Sequence, residues 1–150
     1  MSPVEYRKKR DLKKSGEPKA VVKRVLSKKI FVIHEHYAKN LHWDLRLEMS
    51  GVLKSWAVPK SPPLTKKEKR LAIMVEDHPL SYATFHGVIP EGNYGAGTVK
   101  IWDKGTYDIK HKDEKMIEII FHGKKLKGNY VLVKTKYGNK PEKSWLFFKV

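Results

Sequence analysis

The run Leu41-His42-Trp43-Asp44-Leu45-Arg46-Leu47-Glu48 alternates apolar and polar residues from end to end. That is the period of a strand with one face in a core and the other toward water. His42, Asp44 and Arg46 then share the polar face, while Trp43, Leu45 and Leu47 form the face that buries itself. Residues two apart on a strand stand about 6.6 Å apart at their Cα atoms, so a histidine and an aspartate there reach one metal ion while the arginine reaches a ligand beside it. Upstream, Ile33-His34-Glu35-His36 leads through the polar link Tyr37-Ala38-Lys39-Asn40 into this strand. A hairpin across that link brings His36 or His34 to the same place, giving two histidines and one carboxylate. Such a set, with open positions, suits Mn2+, Fe2+ or Zn2+ and leaves room for water or a phosphate oxygen. The solvated face of an ordinary half-exposed strand has the same spacing, and His-x-Asp is a short pattern, so spacing leaves both readings open. His34 on its own reads as an exposed strand histidine.

Outward from this strand, Leu41 to Met49, the chain continues as short β-branched and aromatic runs cut by turn residues. They are Ile30 to His34, Val52 to Val58, Leu71 to Val75, Thr98 to Trp102, Met116 to Phe121, Asn129 to Thr135 and Ser144 to Val150. Ser50-Gly51, Lys104-Gly105 and Gly138-Asn139 fall between runs, as hairpin connections do. About eight short strands of this kind make an antiparallel barrel or sandwich. Thr65 and Glu68 have capping-box spacing, which predicts one helical turn over Thr65 to Arg70. Gly87 to Gly97 holds four glycines and a proline and reads as a structured loop. It lacks the spacing of a phosphate-cradling P-loop and no βαβ pattern surrounds it, so nucleoside triphosphate binding is not supported. Gly16-Glu17-Pro18 closes a polar start. The chain reads as one domain over 1–150, a basic N-terminal arm over 1–29 and a β-barrel over 30–150.

Lys and Arg number 32 against 16 Asp and Glu in 150 residues, a formal charge of +16. Such a surplus makes a polyanion the expected partner, nucleic acid being the commonest. The surplus is uneven: net +8 over residues 1–29, +1 over 30–109 and +7 over 110–150, with five of the seven histidines in the balanced middle. A site set inside a basic rim has that distribution, although any single lysine reads as a solvated side chain. The absence of cysteine excludes a disulfide framework and a thiolate site. No apolar run approaches the roughly 20 residues of a membrane span and residues 1–14 hold no apolar signal core. A soluble, cytoplasmic protein with no membrane partner is expected, a monomer by default.

Three further places hold chemistry-bearing residues. His78, in Val75-Glu76-Asp77-His78-Pro79, lies where a strand meets a loop, a frequent position for functional groups, and Tyr82 follows four residues later. Lys60 and Arg70 bracket the turn Ser61-Pro62-Pro63 and are available as phosphate-binding cations.

With these residues in view the chain resembles the 3′-phosphoesterase module of bacterial DNA ligase D and its free-standing archaeal and bacterial relatives. The stretches that carry the resemblance are Phe31-Val32, His36-x-Ala38-x-x-Leu41-His42-x-Asp44-x-Arg46-Leu47-Glu48, Gly51 to Lys60, and Glu76-Asp77-His78-Pro79 with Tyr82. It continues through Phe85-x-Gly87 to Gly97, Trp102-Asp103-x-Gly105 and Lys143-Ser144-Trp145-Leu146, with Arg10-Asp11 and Glu17-Pro18 in the polar start. The resemblance implies a closed or nearly closed antiparallel β-barrel whose concave face holds a divalent metal, usually Mn2+, with Zn2+ or Co2+ as alternatives. It implies a hydrolase of DNA repair that heals 3′ ends: it first removes a 3′-terminal ribonucleoside, then the remaining 3′-phosphate. By motif position His36, His42 and Asp44 would be metal ligands. Arg46, Lys60, Arg70 and His78 would hold or polarise the scissile phosphate with Tyr82 alongside. Arg10, Asp11 and Glu17 would complete the substrate site, chiefly for the diesterase step. The implied partners are DNA primer-template 3′ ends bearing a terminal ribonucleotide or a 3′-phosphate, with a separate DNA ligase or polymerase supplying any coupling to non-homologous end joining.

Two rival readings fit parts of the sequence. A metal-dependent oxygenase also uses His-x-Asp plus a distant histidine, a part that would fall to His111 or His122. A non-catalytic basic barrel would bind single-stranded nucleic acid through stacked Trp56, Tyr94 and Trp102, yet gives no reason for His42, Asp44 and Arg46 on one strand face.

Overall fold

The computed structural model describes residues 29–92 and 96–150. Ser50 and Gly51 take φ values of 53° and 81°, the left-handed pair that closes a two-residue hairpin with the twist of its strands. Nine strands follow one another: β1 (Lys29–Tyr37), β2 (Leu41–Met49), β3 (Val52–Val58), β4 (Lys69–Pro79), β5 (Gly87–Ile89), β6 (Gly97–Lys112), β7 (Met116–His122), β8 (Lys127–Lys134) and β9 (Ser144–Lys149). All their pairings are antiparallel, in the order β1-β2-β3-β4-β9-β8-β7-β6, and β6 returns to β1, so eight strands close into a barrel and β5 is added outside along β6. Closure leaves the main ring without an open edge.

The Ser50-Gly51 turn fixes the register of β2 on β3, with Arg46 opposite Ser55 and Asp44 opposite Ala57. Across the β1–β2 hairpin His36 stands directly opposite His42 and His34 opposite Asp44. The interior is apolar and aromatic. Phe31, Leu45, Trp56, Tyr107, Phe121 and Phe147 belong to one buried cluster drawn from β1, β2, β3, β6, β7 and β9. Its rings meet edge to face, Phe31 on Phe121 at 4.8 Å and Trp56 on Trp145 at 5.8 Å, the arrangement their quadrupoles favour. The buried tyrosine hydroxyls are satisfied: Tyr107 Oη donates to Glu48 O at 2.6 Å and Tyr130 Oη to Pro63 O at 2.7 Å. Burial pushes the Tyr130 phenol up to about 12.

Several expectations change. Lys104-Gly105 is not a turn but lies inside β6, sixteen residues long. Gly105 is there because a Cβ would run into the His122 carbonyl, a close approach between backbones rather than a bend. Thr65 and Glu68 close a single turn, Glu68 N donating to Thr65 O at 3.4 Å, and Arg70 is already in β4. The helical turns lie instead at Leu80–Thr84 and Pro141–Lys143. Gly87 to Gly97 contains β5 as well as loop. Three β-bulges interrupt the regular pairing of the barrel wall, one in β4 between the Leu53–His78 and Ser55–Val75 pairs and two in β6, opposite Ile33 and His34 of β1 and, against β7, between Ile109 and His111.

Candidate functional site

Because Trp43, Leu45 and Leu47 turn into or against the barrel interior, the alternate residues of β2 turn outward. His42, Asp44 and Arg46 therefore stand on the outer face of the β1–β4 wall, opposite an interior filled by aromatic rings. His36 joins them from β1, and Ser55 from β3. His78 sits on β4 at even parity with the inward Ala72 and Met74; the bulge adds one residue and turns it outward beside Arg46. The Leu80–Thr84 turn lies against this face through Tyr82 and Ala83. The result is a cavity of about 340 Å3 lined by His36, His42, Asp44, Arg46, His78 and Tyr82, among others.

Donor atoms of His36, His42 and Asp44 all lie within 4.8 Å of one another. Asp44 Oδ2 is 3.6 Å from His36 Nδ1 and 3.3 Å from His42 Nε2. His42 Nδ1 donates to Asn40 O at 3.0 Å, so the neutral ring presents a bare Nε2 lone pair to a carboxylate oxygen. Two acceptors facing each other need a proton or a cation between them, and two imidazoles with one carboxylate is a donor set that suits a divalent transition metal. The residues present thus fit the ion. Burial pushes the Asp44 carboxyl up, but contacts from His36 and His42 and the charge of Arg46 outweigh it and hold it well below the ordinary carboxylate range. The Asp44 contact raises His42.

Arg46, 4% exposed, is the hub of the site. Its Nε donates to His34 Nδ1 at 3.0 Å, Nη1 to Ser55 Oγ at 2.8 Å and to His78 Nδ1 at 3.2 Å, and Nη2 to Asp44 Oδ2 at 3.3 Å. Four of its five N–H groups are engaged in these contacts, which leaves one on Nη2 for a ligand. The guanidinium carbon lies 5.0 Å from the centre of the Tyr82 ring. His78 Nδ1 stands between Arg46 Nη1 at 3.2 Å and Glu76 O at 3.1 Å; in the tautomer that accepts from Arg46 the ring carries its proton on Nε2, and in the imidazolium Nδ1–H donates to Glu76 O. Burial and the adjacent Arg46 charge lower the His78 pKa.

His34 overturns its reading as an exposed strand histidine, for it is fully buried. It accepts from Arg46 at Nδ1 and donates from Nε2 to Phe85 O at 3.0 Å. Burial, with Arg46 beside it, holds its pKa down to about 4, so it is a neutral strut behind the guanidinium. The sequence missed it because what covers it, Tyr82 and the Phe85 backbone, comes from some fifty residues away. Ser55 was missed too, although a two-residue turn at Ser50-Gly51 already sets it opposite Arg46.

Other expected residues stand apart. Arg70, at the start of β4, donates to Ser61 O at 2.7 Å and to Glu68 Oε2 at 3.3 Å, and does not line the cavity. Lys60 is exposed just past the end of β3. Arg10, Asp11, Glu17 and Tyr94 lie outside the described residues. Trp56 is 1% exposed in the interior, which removes it from any base-stacking surface. His111 and His122 pair with Asp113 and Asp108 on the surface of β6 and β7, away from the cavity.

The fold and the site together define a small closed β-barrel with a candidate metal centre and an embedded arginine on its outer wall. The chain belongs to the DNA ligase D 3′-phosphoesterase domain family, whose model matches residues 34–134. It is 50% identical over 135 residues to the multifunctional non-homologous end joining protein LigD of Mycobacterium bovis, covering 87% of this chain and 18% of that protein. The LigD proteins of Mycolicibacterium smegmatis and Pseudomonas aeruginosa are 47% and 43% identical over 94% and 97% of this chain, and 19% and 18% of theirs. The chain thus spans about a fifth of the length of these relatives. Among the described residues no helix is long and apolar enough to cross a membrane.

Proposed function

We propose that this chain is a divalent-metal-dependent phosphoesterase that heals DNA 3′ ends, removing a terminal ribonucleoside and then the 3′-phosphate to leave a 3′-hydroxyl. The observation that carries the reading is the meeting of three metal-ligating side chains within 4.8 Å with a buried arginine that keeps one N–H to offer. His36, His42 and Asp44 would hold the ion, with Mn2+ the first choice and Zn2+ or Co2+ alternatives; its chemistry there is Lewis-acid polarisation of a phosphoryl oxygen.

The chain's own residues do the rest. Arg46, fixed by His34 and Ser55, aims its remaining N–H at an equatorial phosphate oxygen, where charge develops during transfer and preorganised donors act most strongly. Lys60 and Arg70 extend the cationic wall toward the incoming strand, Arg70 by exchanging its present carbonyl and Glu68 partners for phosphate. As the imidazolium, its Nδ1–H on Glu76 O 3.1 Å away, His78 gives its Nε2 proton to the leaving oxygen and becomes the neutral ring. In the diesterase step water adds to phosphorus and the bond to the ribonucleoside O5′ breaks, leaving a 3′-phosphate. In the monoesterase step the bond to O3′ breaks and inorganic phosphate leaves. Tyr82 packs on His78 at 5.0 Å between ring centres and fixes its orientation. Arg10, Asp11 and Glu17 belong to the diesterase step in this reading. In this reading the protein works as a monomer in a prokaryotic cytoplasm, and the 3′-hydroxyl ends it leaves pass to a ligase or polymerase.

The test is a 5′-labelled primer on a template, ending in one ribonucleotide, incubated with protein and Mn2+ with and without EDTA. Stepwise shortening to a 3′-phosphate and then a 3′-hydroxyl end, abolished by EDTA, is expected. An unchanged primer, alongside an unchanged 3′-phosphorylated primer, would sink the reading.

A further inference from the structure

A second cavity, about 590 Å3 and larger than the first, lies on the other side of the Leu80–Thr84 turn. Its wall toward the site is Ala83 and Thr84, its floor is Ile101, Trp102 and the edge of β1, and its rim carries Lys104, Lys124 and Lys125. Trp102 is the extra residue of the β6 bulge, since Ile33 pairs with Asp103 and His34 already with Ile101. The bulge re-aims its side chain. Of the four tryptophans, Trp56 and Trp145 are 1% and 4% exposed in the interior, and Trp43 and Trp102 are partly buried against the same core; Trp102 is the one that also lines this groove. Lys125 Nζ sits 4.5 Å over its ring.

The lining carries three lysines against one acid, Asp103, which is buried and turned to the backbone. Asp103 accepts backbone N–H groups from Lys104, Lys124, Lys125 and Leu126 at 2.8 to 3.0 Å. Those bonds also make a rigid base for the turn between β7 and β8, from which Lys124 and Lys125 project, both exposed. An aromatic ring flanked by exposed ammonium groups is the composition of a platform for single-stranded nucleic acid, in which bases stack and cations follow the phosphates.

We propose that this groove binds a nucleotide of a single strand, Trp102 stacking on its base and Lys104, Lys124 and Lys125 holding its phosphates. Lys125 swings from the indole to a phosphate as the base takes its place. The inference deepens the phosphoesterase reading and rests on it only for the source of the strand: groove and candidate active site share one helical turn as a wall, so a strand whose 3′ end enters the site continues past Tyr82 and Ala83 into the groove.

The experiment is a fluorescence titration of the whole protein with a short oligothymidylate at several salt concentrations, which needs no turnover. Quenching of tryptophan emission is expected, and Trp102→Phe should lose it. Trp102→Ala should weaken binding about tenfold, the loss of one stacked base. Lys124→Ala with Lys125→Ala, both on the surface and harmless to folding, should flatten the slope of log K against log salt by about 1.4, whereas Lys110→Ala with Lys112→Ala on the far end of β6 should not. Unaltered quenching in Trp102→Phe, or a salt slope unchanged by loss of Lys124 and Lys125, overturns the groove. Release of phosphate from a 3′-phosphorylated primer by the wild-type protein tests the catalytic reading separately, so either can fall while the other stands.

Discussion

His42-Trp43-Asp44 and His111-Lys112-Asp113 share one spacing, and in both the imidazole meets its carboxylate, at 3.3 Å and 2.8 Å. The shorter contact belongs to the pair without a site. Asp113 is exposed and its other oxygen takes the backbone N–H groups of Lys115 and Met116, so it shapes the turn from β6 into β7. Asp44 is 5% exposed, and the β1 register sets a second histidine against it. His36, His42 and Asp44 are the one three-donor group among the described residues. A His-x-Asp pair becomes a candidate centre through a converging third donor, exclusion of water and a fixed guanidinium, none of which its own spacing encodes. Proximity of two groups is the weakest of the conditions.

Breaking the first pair should therefore be far costlier than breaking the second. Asp44→Ala should lower Mn2+-dependent turnover by at least about a thousandfold, beyond the roughly 10–100-fold typical of residues that only orient a ligand. It should also abolish any rise in Tm on adding Mn2+, a readout of ion binding by mass action. Turnover within about tenfold of wild type would remove Asp44 from the metal site. Next in size is Arg46→Lys. An ammonium keeps the charge but cannot reach His34, Ser55, His78 and Asp44 together, so kcat should fall by about 10²–10³ with a smaller change in KM. A KM effect alone would mean that Arg46 binds substrate without acting in the transition state.

The same contrast between local spacing and distant contact separates what was legible in the sequence from what was not. The inward and outward faces of β2 could be read because alternation is a local signal, and Ser50-Gly51 named its own turn. β6 was read short because Gly105 has the composition of a turn, while its cause is contact with β7, a partner seventeen residues on. The His78 bulge and the burial of His34 depend on how distant segments register, which no local period carries. The candidate ligands His42 and Asp44, with Arg46, were legible on one strand, and its hairpin offered His36 or His34 as a third; the parts that surround them, Ser55, Phe85 O and the Leu80–Thr84 turn, emerged only with the barrel closed.

His34 sharpens the contrast through pH. It is neutral in the fold with its pKa near 4, below its ordinary 6.5, so between those values the unfolded chain binds a proton that the native one does not. The stability it contributes is complete above pH 6.5 and is lost as pH falls toward 4, up to roughly 3 kcal/mol. His42 is shifted the other way by Asp44, its contribution being lost as pH rises, so the two must be separated. Denaturant unfolding of the metal-free protein in EDTA does so by comparing wild type with His34→Gln, whose amide still accepts from Arg46 and donates to Phe85 O. The difference in stability between the two should change with pH across that window, and a pH-independent difference would mean that His34 titrates normally.

The smallest effect belongs to the surface pair. Asp113→Ala removes the His111 contact and the two backbone bonds at the β6–β7 turn, groups that water can replace because the site is exposed. Its Tm should fall by about 3 °C or less, and its turnover and Mn2+ dependence should match wild type. The Asp113 carboxyl is lowered by its contact with His111 and by the two backbone N–H groups, so the small deficit should shrink as pH falls far enough to neutralise Asp113. A loss of activity in this variant, with folding intact, would break the distinction drawn between the two His-x-Asp pairs, because it would give catalytic weight to a pair that has proximity and nothing else.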